Sequence, residues 1–348
     1  MTPTPHLAER AARVERPAPF QPVEHSLLAH AATTTVDIVV PVYNEERALP
    51  GCLRTLHARL SQGLPFPWRI TVADNASTDE TLATAHRLAD DLPGVCVVHL
   101  DRKGRGLALR TVWGASDADI VAYMDVDLST GLDGLLPLVA PLASGHSDLA
   151  IGSRLAPGAR TVRGPRREFV SRCYNGIIRL THGVRFTDAQ CGFKAARTEV
   201  LGPLLEVTRD DAWFFDTELL LLAEHNGLRI HEVPVDWVED VDTRVDVAST
   251  AREDLRGLWR MARLKASGDA RVEVVPRPEP AAEHPDAVLA PSKGRGALAA
   301  VLWFKWLDPG ASPAAETAVL TMASVAVTCV RFAVLRLAVF TAPRSRTR

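Results

Sequence analysis

IVAYMDVDLST, residues 120–130, is the stretch on which the reading of this chain turns. Ile120 and Ala122 alternate with their neighbours and lead through Tyr123 and Met124, the pattern of a buried strand near its end. Two carboxylates, Asp125 and Asp127, follow where that strand runs out. A strand places residues i and i+2 on one face, so both acids reach a single cleft if the extended geometry continues through Val126. Close carboxylates repel, and they gain by sharing a hard divalent cation, Mg²⁺ or Mn²⁺, that keeps positions open for phosphate oxygens. A surface turn with two solvated acids carries the same letters. The neighbouring motifs therefore decide.

Working outward, VDIVVPVYNE (36–45) is a β-branched run broken by Pro41, a buried strand and then a loop. Leu49, Cys52, Leu53, Leu56 and Leu60 follow at helical spacing, with Pro50 in the first turn. WRITVADNASTDET (68–81) repeats the theme, with Asp79 or Ser77 as the expected N-cap. GVCVVHL (94–100) is the next strand, RKGRG (102–106) a basic glycine loop, and 106–113 a helix. Strands alternating with helices in this way predict parallel βαβ units, hence an α/β domain with a mostly parallel central sheet flanked by helices. Ligands of such sheets bind at the carboxyl ends of the strands. YNEE, DNAST, RKGRG and DVDLST all fall on that edge.

Beyond the DxD, the pattern predicts a helix over 132–143, a strand at DLAIGSR (148–154), and an Arg-rich amphipathic segment over 160–185. That segment suits anionic lipid headgroups or a lipid phosphate, or else is a solvated basic face. VRFTDAQCGFKAAR (184–197) reads as a loop or short strand pair. WFFDTELLLLAEHNG (213–227) reads as a helix with Asp216 as N-cap candidate. A strand and charged loop over 228–246 lead to an amphipathic helix over 249–265.

The 348 residues carry a net charge of −2, which excludes a whole-molecule nucleic-acid field. Five scattered cysteines without C-x-x-C spacing argue against a disulfide framework or structural zinc and for a reducing compartment. Residues 1–34 are rich in Pro, Ala and Arg and are expected to be a disordered leader. The main domain is expected over 35–265, a linker over 266–295, apolar membrane-associated or spanning helices over 296–340, and a basic tail over 341–348. The tract 317–340 has the length of a bilayer span but is interrupted by Arg331 and Arg336.

Taken together, DIVVPVYNEE, ADNASTDET, RKGRGLALR, AYMDVDLST, IGSR, DAQCGFK and WFFDTELL with EVPVDWVED resemble the inverting family 2 nucleotide-sugar glycosyltransferases of the GT-A fold. Within that family the chain is most similar to the polyprenyl-phosphate sugar synthases, the dolichyl-phosphate glucosyl- and mannosyltransferases. RKGRG, DAQCGFK and FFDTELL are closer to the glucosyl branch. The resemblance implies hexose transfer from a nucleoside-diphosphate sugar, UDP-glucose favoured, to a polyprenyl phosphate at the cytoplasmic face of the cell membrane. It implies that Pro41, Tyr43 and Glu45 border the base and ribose, that Asp74 hydrogen-bonds the base, and that Lys103 lies near the diphosphate. Asp125 and Asp127 address ribose and metal, with Asp127 the more direct ligand. Arg154 lies close to the phosphates or the acceptor, and Arg244 closes over the diphosphate. Two positions depart from the family pattern: Ser129 stands where a Gln or His commonly helps bind metal, and VDTRVD replaces the usual Gly-Ser-Lys form around Arg244.

A hydroxyl acceptor needs a general base, for which Asp216 and Glu218 are the candidates; a phosphate acceptor does not. Two other readings remain at this stage, a transferase acting on a saccharide or other hydroxyl and a catalytically silent scaffold. The Q-x-x-R-W signature of processive polysaccharide synthases is absent.

Overall fold

A computed structural model describes residues 12–14, 19–21, 33–238 and 247–274. The chain divides into two compact units, Met1–Pro278 and Glu279–Arg348. All described residues belong to the first. The apolar tract 296–340, the basic tail and Arg244 lie outside them.

Four parallel strands form the heart of the sheet. They are β2 (Val36–Val42), β3 (Trp68–Asn75), β4 (Val95–Leu100) and β5 (Ile120–Met124), linked by α1 (Leu49–Gly63), α2 (Thr81–Asp91) and α3 (Arg105–Ala115). A 3₁₀ turn at Leu132–Gly134 and α4 (Leu135–Ala143) lead to β6 (Leu149–Ser153), and β7 (Arg160–Val162) precedes α5 (Pro165–His182). β8 (Phe193–Arg197), α6 (Thr198–Val207), α7 (Phe215–His225), β9 (Ile230–Pro234), β10 (Asp236–Val238) and α8 (Val247–Ser267) complete the domain. With β1 (Ala12–Val14), the sheet order is β1-β4-β3-β2-β5-β8-β6-β9; β1 and β8 run antiparallel to their neighbours. β7 and β10 form a separate parallel ribbon.

The strands bury both faces. Ile38, Val40, Ile70, Val72, Ile120 and Ala122 pack into the core beneath α1, α2 and α4. Val39, Ala73, Val121 and Tyr123 face the core shared with α3, α6, α7 and α8. This alternation fills a three-layer α/β/α sandwich and explains why the strands read as unbroken apolar runs.

Two boundaries differ from the sequence expectation. The leader contributes β1, which covers the open edge of β4, and Gln21, which exchanges backbone hydrogen bonds with Trp68; an exposed strand edge gains from such a partner. The domain also runs past 265, because α8 continues to Ser267 and Ala270 is buried in the core. Helix α6 was not expected. Gly202 and Pro203 mask its pattern, yet Val200, Leu201, Leu204 and Leu205 bury one helical face.

Candidate active site

The chain runs from β2 outward to β3 and β4, then returns to place β5 on the other side of β2. That reversal is where α/β sheets open a crevice at their carboxyl edge. Here the β2–β5 pairing ends at Val39↔Tyr123, two residues before Pro41, which has no N–H to extend a ladder. β5 leans instead on β8, with the Asp125 N–H donating to the Gly192 carbonyl at 3.2 Å. Tyr43 and Glu45 therefore flank one side of the opening, and Asp125 and Asp127 the other.

Among the described residues, three other than glycine take left-handed φ values, Asn44 (56°), Ala76 (59°) and Leu128 (53°), one in each loop after β2, β3 and β5. Such backbone is costly and concentrates at functional sites. Cross-loop bonds hold it. Ser77 Oγ accepts from the Asn44 N–H at 3.0 Å, Asn44 Oδ1 accepts from the Thr78 N–H at 2.8 Å, and Thr81 Oγ1 accepts from the Glu45 N–H at 2.7 Å. Ser77 and Asp79 are not the N-cap residue of α2, which is Glu80, although Asp79 Oδ1 accepts from the Thr81 N–H at 3.0 Å.

Asp74, at the end of β3, is fully buried. His99 Nδ1 lies 2.6 Å from its Oδ2, and among the described residues Oδ1 has no hydrogen-bond partner. A buried carboxylate oxygen without a donor is costly, so this atom suits a ligand N–H. Asn75 Oδ1 accepts from the Gly104 N–H at 2.6 Å, fixing the basic loop, and Lys103 Nζ stands 3.5 Å above the Tyr43 ring. The glycines of RKGRG are required by a close approach. A Cβ at Gly104 would lie 2.6 Å from the Asp211 carbonyl, and one at Gly106 2.6 Å from Phe215 Cβ.

On the other side of the crevice the chemistry is ionic. Arg105 bridges Asp125 (3.0 Å) and Asp216 (2.6 Å), and Tyr123 donates its hydroxyl proton to Asp216 Oδ1 at 2.6 Å. Lys194, also buried, lies 3.4 Å from the same oxygen. Burial pushes the Asp216 carboxyl up, but Lys194 and Arg105 outweigh it and hold it below the usual carboxylate range. Asp216 is thus not the N-cap of α7; that position is Phe214, and Asp216 stands inside the first turn as the hub of a buried ion cluster. Glu218 is held elsewhere. Arg260 pairs with it at 2.9 Å, and it accepts from the backbone N–H of Asp210 at 2.8 Å. A carboxylate held low is a poor general base, whereas burial pushes the Glu218 carboxyl up even with Arg260 beside it.

Arg154 forms a two-pronged pair with buried Asp188, Nε to Oδ2 at 2.7 Å and Nη2 to Oδ1 at 2.8 Å. A guanidinium has five N–H donors, so this clamp orients it without exhausting it. Its face lies 5.5 Å from the Trp237 ring, which Arg163 approaches to 5.9 Å. Trp237 is tied to the DxD loop, since Val238 donates to the Ser129 carbonyl at 2.9 Å and Gly131 to the Asp236 carbonyl at 2.9 Å.

Asp127 is exposed, and its Oδ1 accepts from the Ser129 N–H at 2.9 Å. Both DxD carboxylates help raise the buried Cys52 thiol, which burial chiefly pushes up to about 12. Hard carboxylate oxygens at an open edge fit Mg²⁺ or Mn²⁺. Among the described residues no group of three His, Cys, Asp or Glu forms a metal cage.

The sequence thus named most of the rim, and Pro41, Tyr43, Glu45, Asp74, Lys103, Asp125 and Asp127 come to one sheet edge. It missed Arg105, Tyr123, Asp188, Lys194, His99 and Trp237 as site-building residues. Asp188 and Lys194 lie inside the quoted DAQCGFK stretch, but their partners are 34 and 22 residues away.

The glycosyl transferase family 2 model matches residues 37–205. Glycosyltransferase AglD of Haloferax volcanii is 37% identical over 239 residues, 67% of this chain and 38% of AglD. The chain therefore spans well under half of that relative. The polyprenol monophosphomannose synthase of Mycolicibacterium smegmatis is 32% identical over 65% of this chain and 82% of its own length. The dolichyl-phosphate beta-glucosyltransferase of Mus musculus is 30% identical over 67% of this chain and 80% of its own. The chain belongs to glycosyl transferase family 2. Its fold is that of glucosyl-3-phosphoglycerate synthase from Mycobacterium tuberculosis, solved with Mn²⁺, UDP-glucose and phosphoglyceric acid (TM-score 0.51, 22% identity, 71% of this chain and 88% of that one). This is the GT-A arrangement.

Proposed function

We propose that this glycosyltransferase moves a hexose, glucose before mannose, from a nucleoside-diphosphate sugar to a polyprenyl phosphate, with inversion at the anomeric carbon. UDP-glucose is the favoured donor. The observation that carries the acceptor class is the state of Asp216, buried, paired with the cations Arg105 and Lys194 and hydrogen-bonded by the Tyr123 hydroxyl. A sugar hydroxyl must lose a proton as it attacks; a phosphate oxygen arrives already anionic. Cationic groups then matter more than a base, and Arg154 stands at the rim to receive an anion. The names of the mannosyl and glucosyl relatives point to the same acceptor class.

In this reading Asp74 takes a base N–H, while Tyr43 and Lys103 border the nucleotide and its diphosphate. An acceptor phosphate oxygen held by Arg154 attacks the anomeric carbon opposite the leaving group, the C1–O bond breaks, and its electron pair leaves with the nucleoside diphosphate. Asp127, with Asp125 beside it, would hold a divalent cation, Mg²⁺ or Mn²⁺, whose charge stabilises that leaving group. Arg105 offsets the negative charge of Asp125. Arg244 would add a further cation.

UDP release from UDP-glucose tests the reading. Release that needs polyprenyl phosphate in vesicles, with glucosyl lipid as product, is expected. Release driven by a soluble hydroxyl acceptor, or UDP-glucose binding with no turnover on any acceptor, contradicts it. The cytoplasmic membrane face is part of the proposal. No helix among the described residues is long and apolar enough to cross a bilayer, so attachment is assigned to the tract 296–340. Deleting residues 296–348 is expected to lower sedimentation with membranes while UDP affinity stays unchanged; unaltered sedimentation counts against that anchor.

A further inference from the structure

Val42, Asp74 and His99 are register partners near the carboxyl ends of β2, β3 and β4. Partners on neighbouring parallel strands project from the same face of the sheet, so the three side chains form one row. Asp74 sits in the middle of it, fully buried. On one flank Val42 offers no polar atom. On the other, His99 Nδ1 lies 2.6 Å from Asp74 Oδ2.

An ionised carboxylate only accepts, so the ring nitrogen donates and Nδ1 carries the proton. The other ring nitrogen, Nε2, lies 3.5 Å from Oδ1 of the exposed Asp101, again an acceptor. The imidazole therefore stands between two acids as a donor. A free aspartate has a broad, two-fold terminal torsion and presents either oxygen over a range of angles. With Oδ2 held by His99, that torsion is fixed. Oδ1 then has one position, and among the described residues it has no hydrogen-bond partner there.

A fixed, buried acceptor selects a base edge that brings a proton to it, because a ligand without one leaves the oxygen unpaired. Uracil carries such a proton at N3. Cytosine presents a lone pair at the same ring atom, which would set two acceptors against each other.

We infer that His99 is a specificity-determining positioning residue: by donating to Asp74 Oδ2, it aims Oδ1 at the N3–H of the donor's uracil. This role rests on the reading that Asp74 takes a base N–H, and it names what makes that acid selective. His99 acts through Asp74, so the diphosphate end of the nucleotide, bordered by Lys103, is not affected by it.

Isothermal titration of UDP and of CDP with Mn²⁺ into the full chain tests the role. The parent is expected to prefer UDP by about thirtyfold or more. His99→Phe keeps a flat ring and removes the donor, and His99→Leu is a second variant of similar bulk. In both, UDP should weaken by about tenfold while CDP changes little, so that the preference shrinks. His99→Asn, whose side-chain amide can place an N–H near the position of Nδ1, should recover most of it. A preference unchanged in His99→Phe and His99→Leu overturns the role of His99 and leaves the Asp74 reading in place. Equal losses for UDP and CDP also overturn it, since they would make His99 a support for the loop alone. A parent that binds CDP as tightly as UDP removes the Asp74 reading and the role of His99 with it.

Discussion

The two banks of the crevice are built differently. The β2–β3–β4 bank is shaped by short-range backbone chemistry: left-handed φ at Asn44 and Ala76, loop-to-loop hydrogen bonds, and one deeply buried acid, Asp74, with an open oxygen. The β5–β6–β8 bank is shaped by long-range ion pairs that run from Asp125 through Arg105 to Asp216 and Lys194, with Arg154–Asp188 beside them. A nucleotide has a fixed shape and is well met by rigid loops. Anions that arrive, react and leave are better met by balanced charge that needs little reorganisation. The contrast suggests that the first bank selects and the second stabilises charge.

The sharpest way to break that contrast is at the exposed acid. Asp127→Asn keeps an oxygen for the Ser129 N–H, so its melting temperature should match the parent, while transfer falls by about a thousandfold. Retained turnover in a product assay would remove Asp127 from the chemistry. Next in size is Arg105→Met, which leaves Asp125 and Asp216 with fewer cations. Loss of about 3 kcal/mol of stability is expected by urea unfolding, as for other broken buried pairs. An unchanged midpoint would mean that Lys194 and Tyr123 suffice.

How much of this was legible follows the same divide. The loops of the first bank announced themselves because their motifs are contiguous: a β-branched run, then YNEE or DNAST, with strand and turn chemistry written in neighbouring letters. Lys103 and the DxD were visible for the same reason. The ion pairs of the second bank were not, because nothing near Asp216 in the sequence reveals a partner 111 residues earlier. An acid in the first turn of a helix reads as a favourable charge at the dipole's positive end. Gly192 shows the same limit. It was quoted in a motif, but its reason is tertiary, since a Cβ there would overlap the Asp125 carboxylate.

That overlap gives the third prediction. Gly192→Ala should displace Asp125 and cost about 2 kcal/mol, the usual range for overpacking, with transfer reduced more than UDP binding. Equal losses in both would place Asp125 on the nucleotide side of the division. The smallest expected effect concerns Asp254 of α8, which accepts from Gln190 Nε2 at 3.3 Å. Burial, helped by Asp210, raises its carboxyl from 3.8 to about 7. The folded state therefore holds a proton that the unfolded chain has released, and stability falls as pH rises from about 4 to about 7 before levelling. Asp254→Asn stays neutral throughout, so it should melt higher than the parent at pH 8 and close to it at pH 5. Parallel melting curves at both values would contradict the shift. Asp188 and Asp216 act in the opposite sense: their carboxyls are held low, so their contribution is present above the unfolded value and is lost as pH falls below about 4.

The central claim is convergence: an acid at the end of β3, a lysine after β4 and an acid after β5 meet one nucleoside diphosphate. Isothermal titration of UDP with Mn²⁺ into the parent chain and into Asp74→Ala, Lys103→Ala and Asp127→Asn measures it directly. The account predicts that each variant weakens UDP by about tenfold or more, with the Asp127→Asn loss seen only when Mn²⁺ is present. Full UDP affinity in all three variants would contradict it.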